Sequence, residues 1–281
     1  MRAHQLTDPV AYHGEGPVWS PRWGGLRWVD LLAGDVLSLQ PDGVVTRRSV
    51  GEVAAALRPR PGGGAVLAVE RGFALEDVHG TVTALPPVLP PGTRMNDGGC
   101  DPDGRFYCGS MAYDHRTGAA ALHRLDPDGS THVVLSGLTI SNGLDWTPDG
   151  SRAYYVDTPT GRVDAFDYDP ASGLTGRRPF VTFPEDGGHP DGLTVDAAGG
   201  VWVAAYGAGA VRHYTAAGVL DAVVEVPARQ VTACTLGGEG LDELFITTSR
   251  EGLAAGDDPL AGALFSVSGV APGQPVREFA G

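Results

Sequence analysis

The chain has 281 residues, of which 42% are hydrophobic, and a formal net charge of −14. So acidic a surface argues against a nucleic-acid binder or an anionic-membrane binder, because phosphate contacts need Lys and Arg, and no run reaches the roughly 18 apolar residues of a membrane span. The 42 glycines and 22 prolines punctuate the whole chain and do not gather in one tail, which means many tight turns and an all-β fold.

The N-terminal MRAHQLTDPVAYHGEGP has no apolar signal-like core, so the chain reads as soluble and cytoplasmic. Downstream, six short segments share one texture. They are LRWVD ending at Asp30, AVLAVE at Glu70, RFYCGS at Ser110, RAYYVD at Asp157, VWVAAYG at Gly207 and ELFITTS at Ser249. Each is rich in aromatic or β-branched residues and bounded by Gly, Pro or Asp, which predicts a strand. Most follow a glycine turn: RWGG, RPGGG, DPDG, TPDG, DAAGG and LGGEG. A strand repeat of roughly 40 to 50 residues predicts a β-propeller, here with six blades. No linker divides the chain, so residues 1–281 are expected to form a single propeller domain. An N-terminal strand should close the ring by completing the last blade.

The strand ahead of each turn carries a second pattern. Asn142-Gly143 has the composition of a hairpin turn, yet the apolar Leu144 and Trp146 follow it, and the turn comes later at PDG. Aligned with the other repeats, Asn142 stands level with Glu15, Asn96 and Asp191. Four residues on, each strand has an apolar residue: Trp146, Trp19, Cys100 and Val195. Innermost strands line the channel of a propeller, so these four oxygen-bearing side chains should converge at one channel mouth. Repeats two and six break the pattern, with Val53 and Thr232 near the same place. Two carboxylates and two amides make a hard-oxygen cluster suited to Ca²⁺, Mg²⁺ or Mn²⁺, and able to take Zn²⁺.

Other chemistries find less support. There is no Gly-x-Ser-x-Gly, and GEVAAALRPRPGGG lacks the Lys-Ser/Thr of a phosphate-binding loop. Cys100, Cys108 and Cys234 are odd in number and without Cys-x-x-Cys spacing, which argues against a disulfide framework or thiolate zinc. His13, His115 and His189 lie near the motifs, and His189 could reach the mouth.

The stretches GEGPVW, RMNDGGCDPDGRFYCGSM, ISNGLDWTPDGSRAYYVD, VDAFDYD, HPDGLTVDAAGGVWVAAYGAGAV and PLAGALFSV together resemble the senescence marker protein/gluconolactonase/regucalcin family of six-bladed propellers. The resemblance runs from about residue 12 to the C-terminus. It implies one divalent metal (Ca²⁺, Zn²⁺, Mg²⁺ or Mn²⁺) at the channel mouth, with Glu15, Asn142 and Asp191 as ligands. It also implies substrate contacts from Arg94 and Asn96, and hydrolysis of sugar lactones to aldonic acids. Asp191 is then the candidate general base, since a carboxylate beside a metal can take a proton from water. One departure stands out. The loop that carries a substrate-binding Glu in the animal proteins reads GSMAYDHRTGAAALHRL here, leaving Tyr113, Asp114 or His115 as substitutes. A metal-dependent esterase or organophosphatase is the alternative enzyme, and a calcium-binding regulatory protein without turnover is the alternative from another class. Oligomeric state is not legible from the sequence.

Overall fold

In the computed structural model, which describes residues 1–281, the chain forms six four-stranded antiparallel sheets. The first blade runs Gly14–Ser20, Gly25–Asp30, Asp35–Leu39 and Val45–Ser49 from inside to outside. The innermost strands of the other five are Ala54–Pro59, Thr93–Cys100, Ser141–Trp146, His189–Val195 and Val231–Gly237. Each packs beside its neighbour, and the sixth returns to the first, so the ring is closed. The architecture is an all-β six-bladed propeller. The six segments picked out by texture are the second strands of the six blades.

Closure happens as the sequence suggests. His4–Gln5 adds to the sixth blade, with His4 opposite Ser266 and Gln5 opposite Phe265. Apolar side chains fill the wedges between blades. Trp146, for example, lies edge-on to Tyr107 at 5.3 Å and to Tyr168 at 6.0 Å. The three cysteines are free and buried. No helix is long and apolar enough to cross a membrane.

The innermost strands share a device that the sequence pattern does not display. Every one carries a β-bulge: between Glu15 and Val18, Ala54 and Ala56, Met95 and Gly98, Ser141 and Leu144, Pro190 and Leu193, and Val231 and Ala233. A bulge leaves residues out of the ladder and re-aims their side chains. Asn142 and Asp191 therefore sit at strand heads whose backbone turns them toward the channel. Gly143 is needed here for space. A Cβ on it would lie 2.7 Å from both the Asp191 carbonyl oxygen and the Leu193 nitrogen of the next blade.

The bulges also correct one alignment. Pairing of Pro59 with Ala65, equivalent to Cys100 with Phe106 and Val195 with Val201, puts Ala55 at the register of Asn96 and Asp191. Val53, expected there, precedes its strand and packs in the core. The turn after Pro59 has the same length as those after Cys100 and Val195, so counting back from the paired strand ends is what identifies Ala55.

The far end of the channel is sealed by the C-terminal tail. Gln274 Nε2 donates to the Trp146 carbonyl at 2.7 Å, and Arg277 Nη2 donates to the Thr147 carbonyl at 2.8 Å. The Phe279 N–H then donates to the Pro59 carbonyl at 2.9 Å, and its ring is buried in the core of the first three blades. One mouth of the channel is left open.

Candidate functional site

The open mouth is a cavity of about 330 Å³ lined by 14 residues, only 3 of them hydrophobic. Glu15, Arg94, Asn96, Asn142 and Asp191 all line it, so the structure brings together the residues expected as metal ligands and substrate contacts. They come from blades one, three, four and five. The blade-two and blade-six positions hold Ala55 and Thr232, and the Thr232 hydroxyl donates to the Gly14 carbonyl at 2.6 Å, serving the backbone.

Asn142 is oriented by its neighbours. Thr158 Oγ1 donates its one proton to the Pro190 carbonyl at 2.9 Å, so toward Asn142 it can only accept. Asn142 Nδ2 donates to that oxygen at 3.0 Å and also to Asp191 Oδ1. Both amide protons are thereby engaged, and Asn142 Oδ1 is left buried without a partner. A buried acceptor in that state costs about 1–3 kcal/mol unless something fills it.

The carboxylates tell the same story. Glu15 accepts the Gly16 N–H at 2.9 Å, yet burial pushes its carboxyl well above the usual range, and Asp191 and Asp97 push it further. Asp191 is raised first by burial and then by Asp97, while Asn142 and Arg94 pull the other way. Asp97, next to Asn96 in the third-blade bulge, is a third buried carboxyl here; burial raises it too, and Arg58 opposes that. Arg94 is the buried cation that acts on both Glu15 and Asp191. The mouth thus holds an excess of buried negative charge.

A divalent cation fits this deficit. Two carboxylates would neutralise it, and the unpartnered Asn142 oxygen is a neutral hard donor beside them. No three His, Cys, Asp or Glu side chains gather at metal-binding separation, so any ligand set here is mixed, two carboxylates and an amide. Asn96 drops out of the four-oxygen cluster. Its Oδ1 accepts from Arg94 Nη1 at 2.7 Å and its Nδ2 donates to the Ser141 carbonyl at 3.0 Å. Arg94 Nη1 also donates to the Met95 carbonyl at 3.0 Å, so Arg94 and Asn96 act as one bonded unit facing the cavity, with Nε and Nη2 of Arg94 left for a ligand.

The loop candidates reduce to one, and three other residues, Asp97, Tyr206 and Glu251, are absent from the sequence pattern. Of Tyr113, Asp114 and His115, only His115 lines the cavity, at a positive φ of 56°. Tyr113 donates to Glu70 Oε1 at 3.0 Å, and Asp114 is exposed and paired with Arg116 at 3.4 Å. Asp97 could have been found as the acidic neighbour of Asn96. Tyr206 and Glu251 also line the mouth, from positions outside the aligned register.

Comparison with known proteins bears on this geometry. A family model described as the SMP-30/Gluconolactonase/LRE-like region matches residues 13–250. Over 271 residues the chain is 37% identical to a regucalcin of Danio rerio, covering 92% of this chain and 90% of that one. Over 284 residues it is 35% identical to a pentonolactonase of Haloferax volcanii, covering 98% and 97%. Among solved structures, a calcium-binding protein, regucalcin, from Agrobacterium tumefaciens matches with a TM-score of 0.93 at 27% identity, covering 99% of this chain and 97% of that one.

Proposed function

The chain belongs to the SMP-30/gluconolactonase/LRE-like family, and we propose that it is a metal-dependent lactonase that opens sugar lactones to aldonic acids, residues 1–281 forming one catalytic propeller. The observation that carries this reading is the unpartnered Asn142 oxygen beside the buried Glu15 and Asp191 carboxyls, in a cavity lined mainly by polar side chains. Pentonolactonase activity in a relative that spans the whole chain supports it. A polar lining suits a hydroxylated lactone better than an aryl ester. Three protein donors are few for a calcium buffer, which surrounds the ion with six to eight oxygens. Free, buried thiols accord with a reducing, cytoplasmic setting.

Glu15, Asn142 and Asp191 would hold one divalent ion, with Ca²⁺, Zn²⁺, Mg²⁺ and Mn²⁺ all compatible with the donors. When bound, such an ion supplies Lewis-acid polarisation of the lactone carbonyl. Asp191 takes a proton as water attacks the carbonyl carbon. The ring C–O bond then breaks, and the departing ring oxygen takes up that proton to become a hydroxyl. Arg94, fixed by its bond to Asn96, donates to substrate oxygen and stabilises the negative charge that develops there. Asn96 keeps the guanidinium in place and lines the substrate side. The tail across the far end leaves the approach to one mouth.

Assay against a panel of aldonolactones and aryl esters, before and after chelation, tests this. Chelator-sensitive turnover of aldonolactones at rates well above the esters is the expected result. Ester hydrolysis with no lactone turnover would assign the site to the esterase class instead.

A further inference from the structure

A carboxylate outside the proposed donor set faces the same cavity. Glu251 follows the second strand of the sixth blade, in a loop that belongs to none of the aligned registers. Its position is built and not incidental. The Glu251 N–H donates to Ser249 Oγ at 3.0 Å, and its carbonyl accepts from Gln230 Nε2 at 3.0 Å. The same Gln230 nitrogen donates to the Ser249 carbonyl at 2.9 Å, so one amide clamps both ends of the turn. On the side-chain side, Glu251 Oε2 lies 3.1 Å from His13 Nδ1. His13 is itself buried and braced, with its N–H donating to Asp30 Oδ1 at 2.9 Å and its Nδ1 2.8 Å from Ser249 Oγ.

One carboxylate oxygen is thus anchored while 40% of the side chain stays accessible. The hydrogen bond from His13 holds this carboxyl below the usual range, with Arg94 adding to the effect, so the group is an acceptor only. Glu251 is also the foremost charge acting on Arg94. The cavity therefore has a donor, Arg94, and a fixed acceptor, Glu251, that the proposed metal ligands do not use. A neutral ligand that both donates and accepts along its length matches that pair. Sugar hydroxyls do so.

We propose that Glu251, braced by His13, is a specificity-determining residue whose carboxylate accepts hydrogen bonds from the hydroxyls of the lactone, so that the site selects a polyhydroxylated lactone over a bare ring. This rests on the lactonase reading above. A site that hydrogen-bonds substrate hydroxyls binds an analogue without them less well, because those charge-assisted bonds are not made.

The test uses the metal-loaded protein with D-glucono-1,5-lactone and δ-valerolactone, the same six-membered ring without hydroxyls. The readout is the ratio of kcat/KM for the first to kcat/KM for the second, with spontaneous opening subtracted. In E251A the ratio falls about ten- to a hundredfold, the loss of a hydrogen bond to a charged group, and E251Q falls between E251A and the unsubstituted protein. D114N, an exposed acid outside the cavity, keeps the ratio. An unchanged ratio in both Glu251 variants overturns the inference, including the case where both lactones slow equally, which would mark a merely structural role. Failure of the unsubstituted protein to open either lactone overturns the lactonase reading, and this inference with it.

Discussion

Asp191, buried, and Asp145, half-buried, belong to adjacent innermost strands near opposite ends of one channel, and desolvation of the carboxyl raises the pKa of both. Their surroundings differ. Asp145 accepts the Trp146 N–H at 2.8 Å and the Val195 N–H at 2.8 Å, so each oxygen has a backbone donor. Its end of the channel is a cavity of only about 60 Å³, closed by Gln274 and Arg277 of the tail. Asp191 takes its donor from Asn142, whose own oxygen is left over, and it faces open space. Other buried polar atoms also lack a partner, Trp146 Nε1 and Trp202 Nε1 among them, but Asn142 Oδ1 is the one that lines the open mouth, where a ligand can complete it.

The largest predicted effect separates these two residues. Asp191→Asn should lower kcat/KM for sugar lactones by about a thousandfold while holding or raising the Tm of the metal-free protein, because it removes a buried charge beside Glu15. Asp145→Asn should do the reverse, costing about 1–3 kcal/mol of stability and leaving turnover per folded molecule within a few fold. Activity assays on folded, chelated-and-reloaded protein, paired with urea denaturation, check both. Abolished turnover in a fully folded Asp145→Asn protein would break the contrast.

Next in size is the tail. Phe279→Ala removes a buried ring from the core of the first three blades and should cost about 3–5 kcal/mol in urea denaturation. Turnover per folded molecule should persist, since the tail touches only the sealed end. Equal losses of stability and turnover would mean that the two ends are coupled.

The smallest effect concerns pH at the sealed end. His213 bridges Asp196 at 2.8 Å and also meets Asp221, and Asp196 pairs with Gly273 of the tail. Against the opposing effect of burial, the two aspartates raise His213, and His213 helps to hold Asp196 low. A histidine raised on folding stabilises fully below its unfolded pKa of about 6.5, and that contribution is lost as pH rises through the folded value. Asp196 works in the opposite sense, its contribution fading as pH falls through its lowered value. Tm should therefore decline as pH rises past the His213 titration, and His213→Gln should flatten that decline. A decline that survives His213→Gln would place its origin elsewhere.

Much of this was legible in the sequence, for a physical reason. Blades repeat, so Glu15, Asn96, Asn142 and Asp191 stand in one register that alignment can find. What alignment misses is whatever the repeat does not impose. The bulges are backbone events without a residue signature, and the second blade has no polar side chain to align on, so that Ala55 and not Val53 holds its position emerges only from the strand pairing. Nor does the pattern say that Arg94 engages Asn96 Oδ1 and so leaves a three-donor set. Glu251 lies in a loop after a strand, where sequence neighbours carry no information about the blade-one histidine it meets across the closed ring. The tail's course beneath five blades is equally non-local.

The most direct test of the account is a calorimetric titration of chelator-stripped protein with Ca²⁺, Mg²⁺, Mn²⁺ and Zn²⁺ singly, followed in parallel by lactone hydrolysis. The account predicts one site per chain, loss of that site in Glu15→Gln, and recovery of hydrolysis at the same stoichiometry as binding. Full lactone turnover by stripped protein that binds none of these ions would contradict it.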